Sequence, residues 1–148
     1  MKNTVKLTID LDEILNNVLA ESAWRGAYDE SVRVLTRDQS ALIERKIRAG
    51  FDDLCSRTAG YLVLSSFNSA AESDHIRLWY QLRHAPEAGM DELMHSIVVQ
   101  MLGYYALWSF YGVHDGDLLR HNESVYHLAW RKWRTQLLLL LARDANRD

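Results

Sequence analysis

Two E-x-x-H tetrads, Glu72-Ser-Asp-His75 and Glu92-Leu-Met-His95, are the stretches of this chain whose residue types and spacing come nearest to a reaction centre. Residues three apart on a helix can offer a carboxylate and an imidazole to one ion, the pairing by which helical bundles hold two metal ions between facing helices. Such a site also needs a lone Glu from each of two further helices. Glu72 falls in a polar connecting stretch, and the tetrads lie too close in sequence to face one another across a bundle. Their side chains therefore read as surface or helix-start residues, and no metal is expected. His121 and His127 flank Glu123, but six residues apart on a helix puts the two imidazoles on different faces.

The motifs of nucleophilic and nucleotide chemistry are absent: there is no G-x-S-x-G, no G-x-x-x-x-G-K-[ST] and no G-x-G-x-x-G. The carboxylate pairs Asp52-Asp53, Asp91-Glu92 and Asp115/Asp117 fall at helix starts or on polar faces, where the helix dipole or solvent explains them. Cys55 is the one cysteine, so it has no internal disulfide partner, and its place in a helical pattern reads as a small buried apolar residue. No catalytic residue, cofactor or metal ligand is assigned, and the chain is not expected to be an enzyme.

The residues that point to function lie in the last helical stretch. Trp130-Arg-Lys-Trp-Arg134 interleaves cations with aromatics, as a nucleic-acid or membrane-surface helix does. Trp130 and Trp133 share a face with Tyr126 and Leu137, which reads as a packing or interface stripe with Arg131, Lys132 and Arg134 as its outward basic edge. Leu137 to Leu141 are five consecutive leucines that surround a helix completely, so a monomer would have to expose some of them. The end of this helix is expected to pack on another chain, with Trp130, Arg131, Trp133, Arg134, Leu137, Leu138, Leu139 and Leu141 as the interface.

The elements that position these residues can be read in chain order. Val5, Leu7, Ile9 and Leu11 alternate with polar residues as a half-buried strand does. Asp10 and Glu13 have capping-box spacing for a helix carrying Ile14, Leu15, Val18, Leu19 and Ala23 inward, with Gly26 as its stop. Ala27 to Leu35 reads as a connection. Thr36-x-x-Gln39 is a second capping box, and Leu42, Ile43, Ile47, Phe51, Leu54, Thr58, Tyr61, Leu62 and Ser65 continue at helical spacing. That predicts a long second helix of about 30 residues and about 45 Å, which Gly60 can kink or end. Its outer face carries Arg45, Lys46, Arg48, Asp52, Asp53 and Arg57, a solvated stripe of mixed sign. Asn68 to Asp74 is polar. Ile76, Leu78, Tyr80 and Leu82 alternate as a second strand closed by Pro86, and this strand supplies the partner the first one needs for its backbone groups. Met90 to Tyr111 is apolar on more than one side and reads as a central helix ending near Gly112. A turn through His114, Asp115 and Gly116 leads to the last helix, with Tyr126, Ala129, Trp130, Trp133, Leu137, Leu140 and Leu141 inward. The fold class expected is mainly α (α+β): one domain over 1–148, a four-helix core with a long second helix and a small two-stranded β element.

At 148 residues, with 48% hydrophobic and 25% charged side chains, the chain can bury a core without disulfides or metal. Five Trp and seven Tyr are many for this length and permit an association surface. No apolar run approaches the roughly 20 residues that cross a bilayer, and the opening lacks a signal-peptide stretch, so no membrane partner and a cytoplasmic location are expected. The net charge is −3, and residues 120–148 carry six basic and three acidic side chains, too weak a bias for nucleic-acid binding to be expected.

Several residues together resemble a family of small, largely uncharacterised proteins from phage and prophage gene clusters. They are Thr8-Ile-Asp10 leading into a helix, Trp24-Arg-Gly26-Ala, Val34-Leu-Thr36-Arg-Asp38 before Leu42-Ile-Glu-Arg45, and Leu82 to Pro86 ahead of the apolar helix with Trp108. The resemblance implies a structural part of the virion near the head–tail junction or in the tail region, made in the cytoplasm and then incorporated. It carries over no catalytic residue. The family's basic, proline-containing tail is replaced here by Leu137 to Leu141 and Ala-Arg-Asp. A homo-oligomer, a ring being one arrangement, with neighbouring virion proteins as partners is the expectation. The long helix and the leucine-rich end are its two patches, because ring contacts are heterologous. The alternative is a small cytoplasmic helical adaptor that binds one cellular protein.

Overall fold

Asp10 is where strand becomes helix. Its carboxylate accepts the Asp12 backbone N–H at 3.0 Å, ending the first strand, β1 (Thr4–Asp10), and capping the first helix, α1 (Leu11–Tyr28). Glu13 does not complete a capping box. It accepts a hydrogen bond from His95 Nε2 at 3.1 Å instead, tying the start of α1 to the central helix. The computed structural model describes residues 3–30, 33–68, 75–111 and 125–146.

Helix α1 turns Leu11, Ile14, Leu15, Val18 and Ser22 inward, so a serine, not Ala23, takes the last core position. Gly26 does not stop the helix, which runs on to Tyr28 and closes with the Asp29 N–H on the Arg25 carbonyl. The glycine is there for a close approach: a Cβ at position 26 would overlap Val34 Cγ2 as the connection folds back. Thr36 and Gln39 form the capping box read from the sequence, with the Thr36 N–H donating to Gln39 Oε1 at 3.1 Å. A single 3₁₀ turn, Arg37–Gln39, then leads into α2 (Ser40–Arg57).

The long second helix is corrected at this point. Helix α2 has 18 residues and ends at Arg57, with Thr58 as its cap. The Thr58 hydroxyl donates back to the Leu54 carbonyl at 2.8 Å, and the Tyr61 N–H closes a turn on the Thr58 carbonyl. Leu62–Asn68 then form a strand, β2, against β3 (His75–Gln81). The β element therefore has three strands, not two, in the antiparallel order β1-β3-β2. Leu62 and Ser65 fit helical spacing, but β3 has two edges, and the second takes these residues as a strand, which gives that edge's backbone groups partners.

In the sheet Val5 pairs with Tyr80, Leu7 with Leu78 and Ile9 with Ile76, and all six are buried on the face toward the helices. Burying a side chain of this size stabilises by about 1.5–3 kcal/mol. Gly89, at φ +85°, sets the entry to α3 (Met90–Tyr111), the central helix, which packs against β1, α1, α2 and the last helix, α4 (Val125–Asn146). Asp144 fixes the far end of α4, accepting the backbone N–H groups of Arg83 at 2.6 Å and His84 at 3.1 Å. The fold is mainly α, four helices among the described residues with a small antiparallel sheet.

Candidate interaction surface

The residues singled out for metal chemistry are not brought together. His95 is paired with Glu13, His127 lies against Trp108 with ring centroids 4.5 Å apart, and Glu72, His121, Glu123, Asp115 and Asp117 lie outside the described residues. Among the described residues no group of three His, Cys, Asp or Glu could hold a metal ion. Cys55 is half-buried rather than buried. Its thiol is pushed up by burial, against a hydrogen bond from Ser65 and aided by Asp52, which keeps it protonated and a poor nucleophile at neutral pH. Asp53 is held by Arg57 at 2.9 Å on the outside of α2.

The basic-aromatic stretch of α4 folds inward. Trp130 is buried and stacks on Trp108 at 5.5 Å and 10°, with Tyr105 edge-on at 5.5 Å. The Arg134 guanidinium lies 4.6 Å over the Trp130 ring, and Arg57 approaches it from α2 at 5.7 Å. Burial and the neighbouring Arg57 push the Arg134 guanidinium down, with Asp53 acting the other way. Arg134 thus seals a core aromatic, and Arg131 and Lys132 are the exposed basic positions, Lys132 lying over Trp133 at 5.8 Å.

The interface read from the last helix is corrected in the same way. Trp130, Leu137 and Leu141 are core residues of this chain and are not available to a partner. Their spacing of seven and four keeps them on one side of α4, toward α3. Trp133, Leu138 and Leu140 are partly buried, and Leu139 is 50% exposed. The leucine run therefore contributes chiefly one exposed side chain. The outer side of α2, the other expected patch, is mixed in charge, with Leu42 as its exposed large apolar residue.

Exposed apolar side chains of α1 and α4 flank α3 instead. On α3 itself Leu93 is exposed, Gln100 and Tyr104 are partly exposed, and Ile97, on the same stripe of that helix, is buried. At its beginning a groove of about 220 Å³ separates α3 from α4, bordered by Leu93, Ile97, Gln136, Leu139 and Arg143. Farther along, a groove of about 620 Å³ separates α3 from α1, bordered by Asn17, Glu21, Trp24, Gln100 and Tyr104 and floored by Gly103. Leu93 is 47% exposed and Trp24 57%, and Trp24 leans on Tyr28, more exposed still, at 4.7 Å. Helices α1 and α4 form the walls of this face and α3 its floor. Tyr28 was missed in the sequence as a surface residue because it lies past the point where Gly26 reads as a stop, and Trp24 because it sits two residues before that stop, off the inward stripe of α1.

No family model, curated protein or solved structure matches this chain. No helix among the described residues is long and apolar enough to cross a membrane.

Proposed function

We propose that this chain is a non-enzymatic structural subunit that acts by assembling with copies of itself and with neighbouring proteins, of the virion head–tail or tail-region type that its motifs resemble. One observation carries the reading: Leu93 and Leu139, each about half exposed, border the same groove beside α3, and Trp24 and Tyr28 extend the apolar surface along that helix. Large apolar side chains gathered on one face mark an association surface, whereas the same residues scattered singly need no explanation. The face offers shape and apolar area, and among the described residues no convergent set of acids, bases or nucleophiles borders it, which suits association.

Light scattering of the purified chain across a concentration series tests the proposal. A discrete oligomer larger than a dimer is the expected result. A monomer at every concentration contradicts it.

A further inference from the structure

We propose that β2 pairs antiparallel with β2 of a second copy of this chain across a two-fold axis, joining two three-stranded sheets into one of six strands. The inference rests on the assembly reading above and adds a second contact, remote from the α3 face.

The two edges of the sheet differ. On β1 the inward residues Val5, Leu7 and Ile9 are fully buried, and the strand carries the charges of Lys6 and Asp10 on its other side. On β2 the inward residues Leu62 and Phe67 are only partly covered, Ser65 is exposed, and Val63 is 49% exposed. Among the described residues no strand pairs with the outer edge of β2. An edge strand presents a row of backbone donors and acceptors that another strand can complete, and proteins ordinarily block such edges with charge, above all lysine. The nine residues from Gly60 to Asn68 carry no charge at all.

That neutrality selects the occupant. Two such strands bring no charged side chain of their own to the ladder, Arg48 of α2 lying over Phe67 at 5.3 Å on the inner face, and a two-fold contact is self-complementary and closes on itself. The register irregularity at Val63 bends the start of the strand, which leaves Leu64–Asn68 as the regular ladder. On the solvent face Leu64 lies beside Trp79, whose other neighbour is Lys6, so exposed apolar area adjoins the ladder. Backbone hydrogen bonds then supply the affinity and these flanking side chains the register.

The test separates this contact from the α3 face. In a Leu93→Glu/Leu139→Glu background, which disables that face, light scattering is expected to find a dimer. Adding Val63→Lys/Leu64→Lys places four like charges on the paired edges and is expected to raise the concentration needed for dimers about tenfold or more. In the unmodified chain, amide exchange of residues 62–68 is expected to slow as concentration rises. A background already monomeric, dimers indifferent to the lysines, or amides exchanging alike at all concentrations overturns the β2 pairing and leaves the assembly reading intact. An unmodified chain that is monomeric throughout overturns both.

Discussion

The hydroxyls of Ser22 and Tyr111 meet at 2.6 Å in the interior, 89 residues apart in sequence, and between them they tie three segments together. Tyr111 uses its one proton on the Arg33 carbonyl at 2.7 Å. The Ser22 hydroxyl therefore donates to Tyr111 Oη and accepts the Leu35 N–H at 2.7 Å. The end of α1, the returning connection and the last turn of α3 are closed by one chain of polar contacts.

Ser22→Ala leaves the buried Leu35 N–H without its acceptor and is expected to cost about 1–3 kcal/mol of stability. Tyr111→Phe removes the proton given to Arg33. Because the two groups share one network, the double variant is expected to lose less than the sum of the singles. Denaturant unfolding of the four proteins checks this, and strict additivity would show that the hydroxyls act separately.

Tyr80 gives a pH dependence. Burial pushes its phenol above the ordinary value of 10.0, against a hydrogen bond with Thr58. Thr58 spends its own proton on the Leu54 carbonyl, so the Tyr80 hydroxyl is the donor in their 3.0 Å contact. A raised folded pKa means that the unfolded chain ionises first, so the contribution is fully present below about pH 10 and is lost as pH rises above it. Tyr126, raised by burial and by Glu21, adds to the same trend. Stability is expected to fall as pH rises above about 10, and Tyr80→Phe to cost about 1 kcal/mol at neutral pH while reducing that fall. Urea midpoints measured through this rise in pH decide it, and an alkaline slope that the substitution leaves unaltered would count against Tyr80.

Glycines on either side of the end of α2 should respond oppositely to alanine. A Cβ at Gly50 would come within 2.8 Å of Tyr105 Cδ1, where α2 crosses α3, whereas one at Gly60 meets nothing within 4 Å. Gly50→Ala is expected to destabilise by about 1–3 kcal/mol through overpacking, despite the better helix propensity of alanine. Gly60→Ala is expected to be neutral or to stabilise by up to about 1 kcal/mol through the unfolded state. Thermal unfolding of both variants is the check.

How much of this was legible in the sequence depended on how local each cause is. The Thr36–Gln39 box was readable because both partners of its hydrogen bonds lie within four residues. The central helix was readable because residues such as Val98, Val99, Met101 and Leu102 face different neighbours and leave only a narrow stripe exposed. β2 was not, since Leu62 and Ser65 satisfy helical spacing and only the free edge of β3 turns them into a strand. The leucine run was half legible. It demanded that some leucines be exposed, but which ones depended on where α3 lies against α4: Leu137 and Leu141 face it, and Leu139 does not.

The central claim, assembly through the face along α3, is tested most directly by light scattering of the unmodified chain beside Leu93→Glu/Leu139→Glu at matched concentrations. Both side chains are about half exposed, so the fold, monitored by circular dichroism, is expected to persist. The account predicts an oligomer larger than a dimer for the unmodified chain and a smaller species for the variant. An unmodified chain that stays monomeric, or a variant that assembles to the same mass, would contradict it.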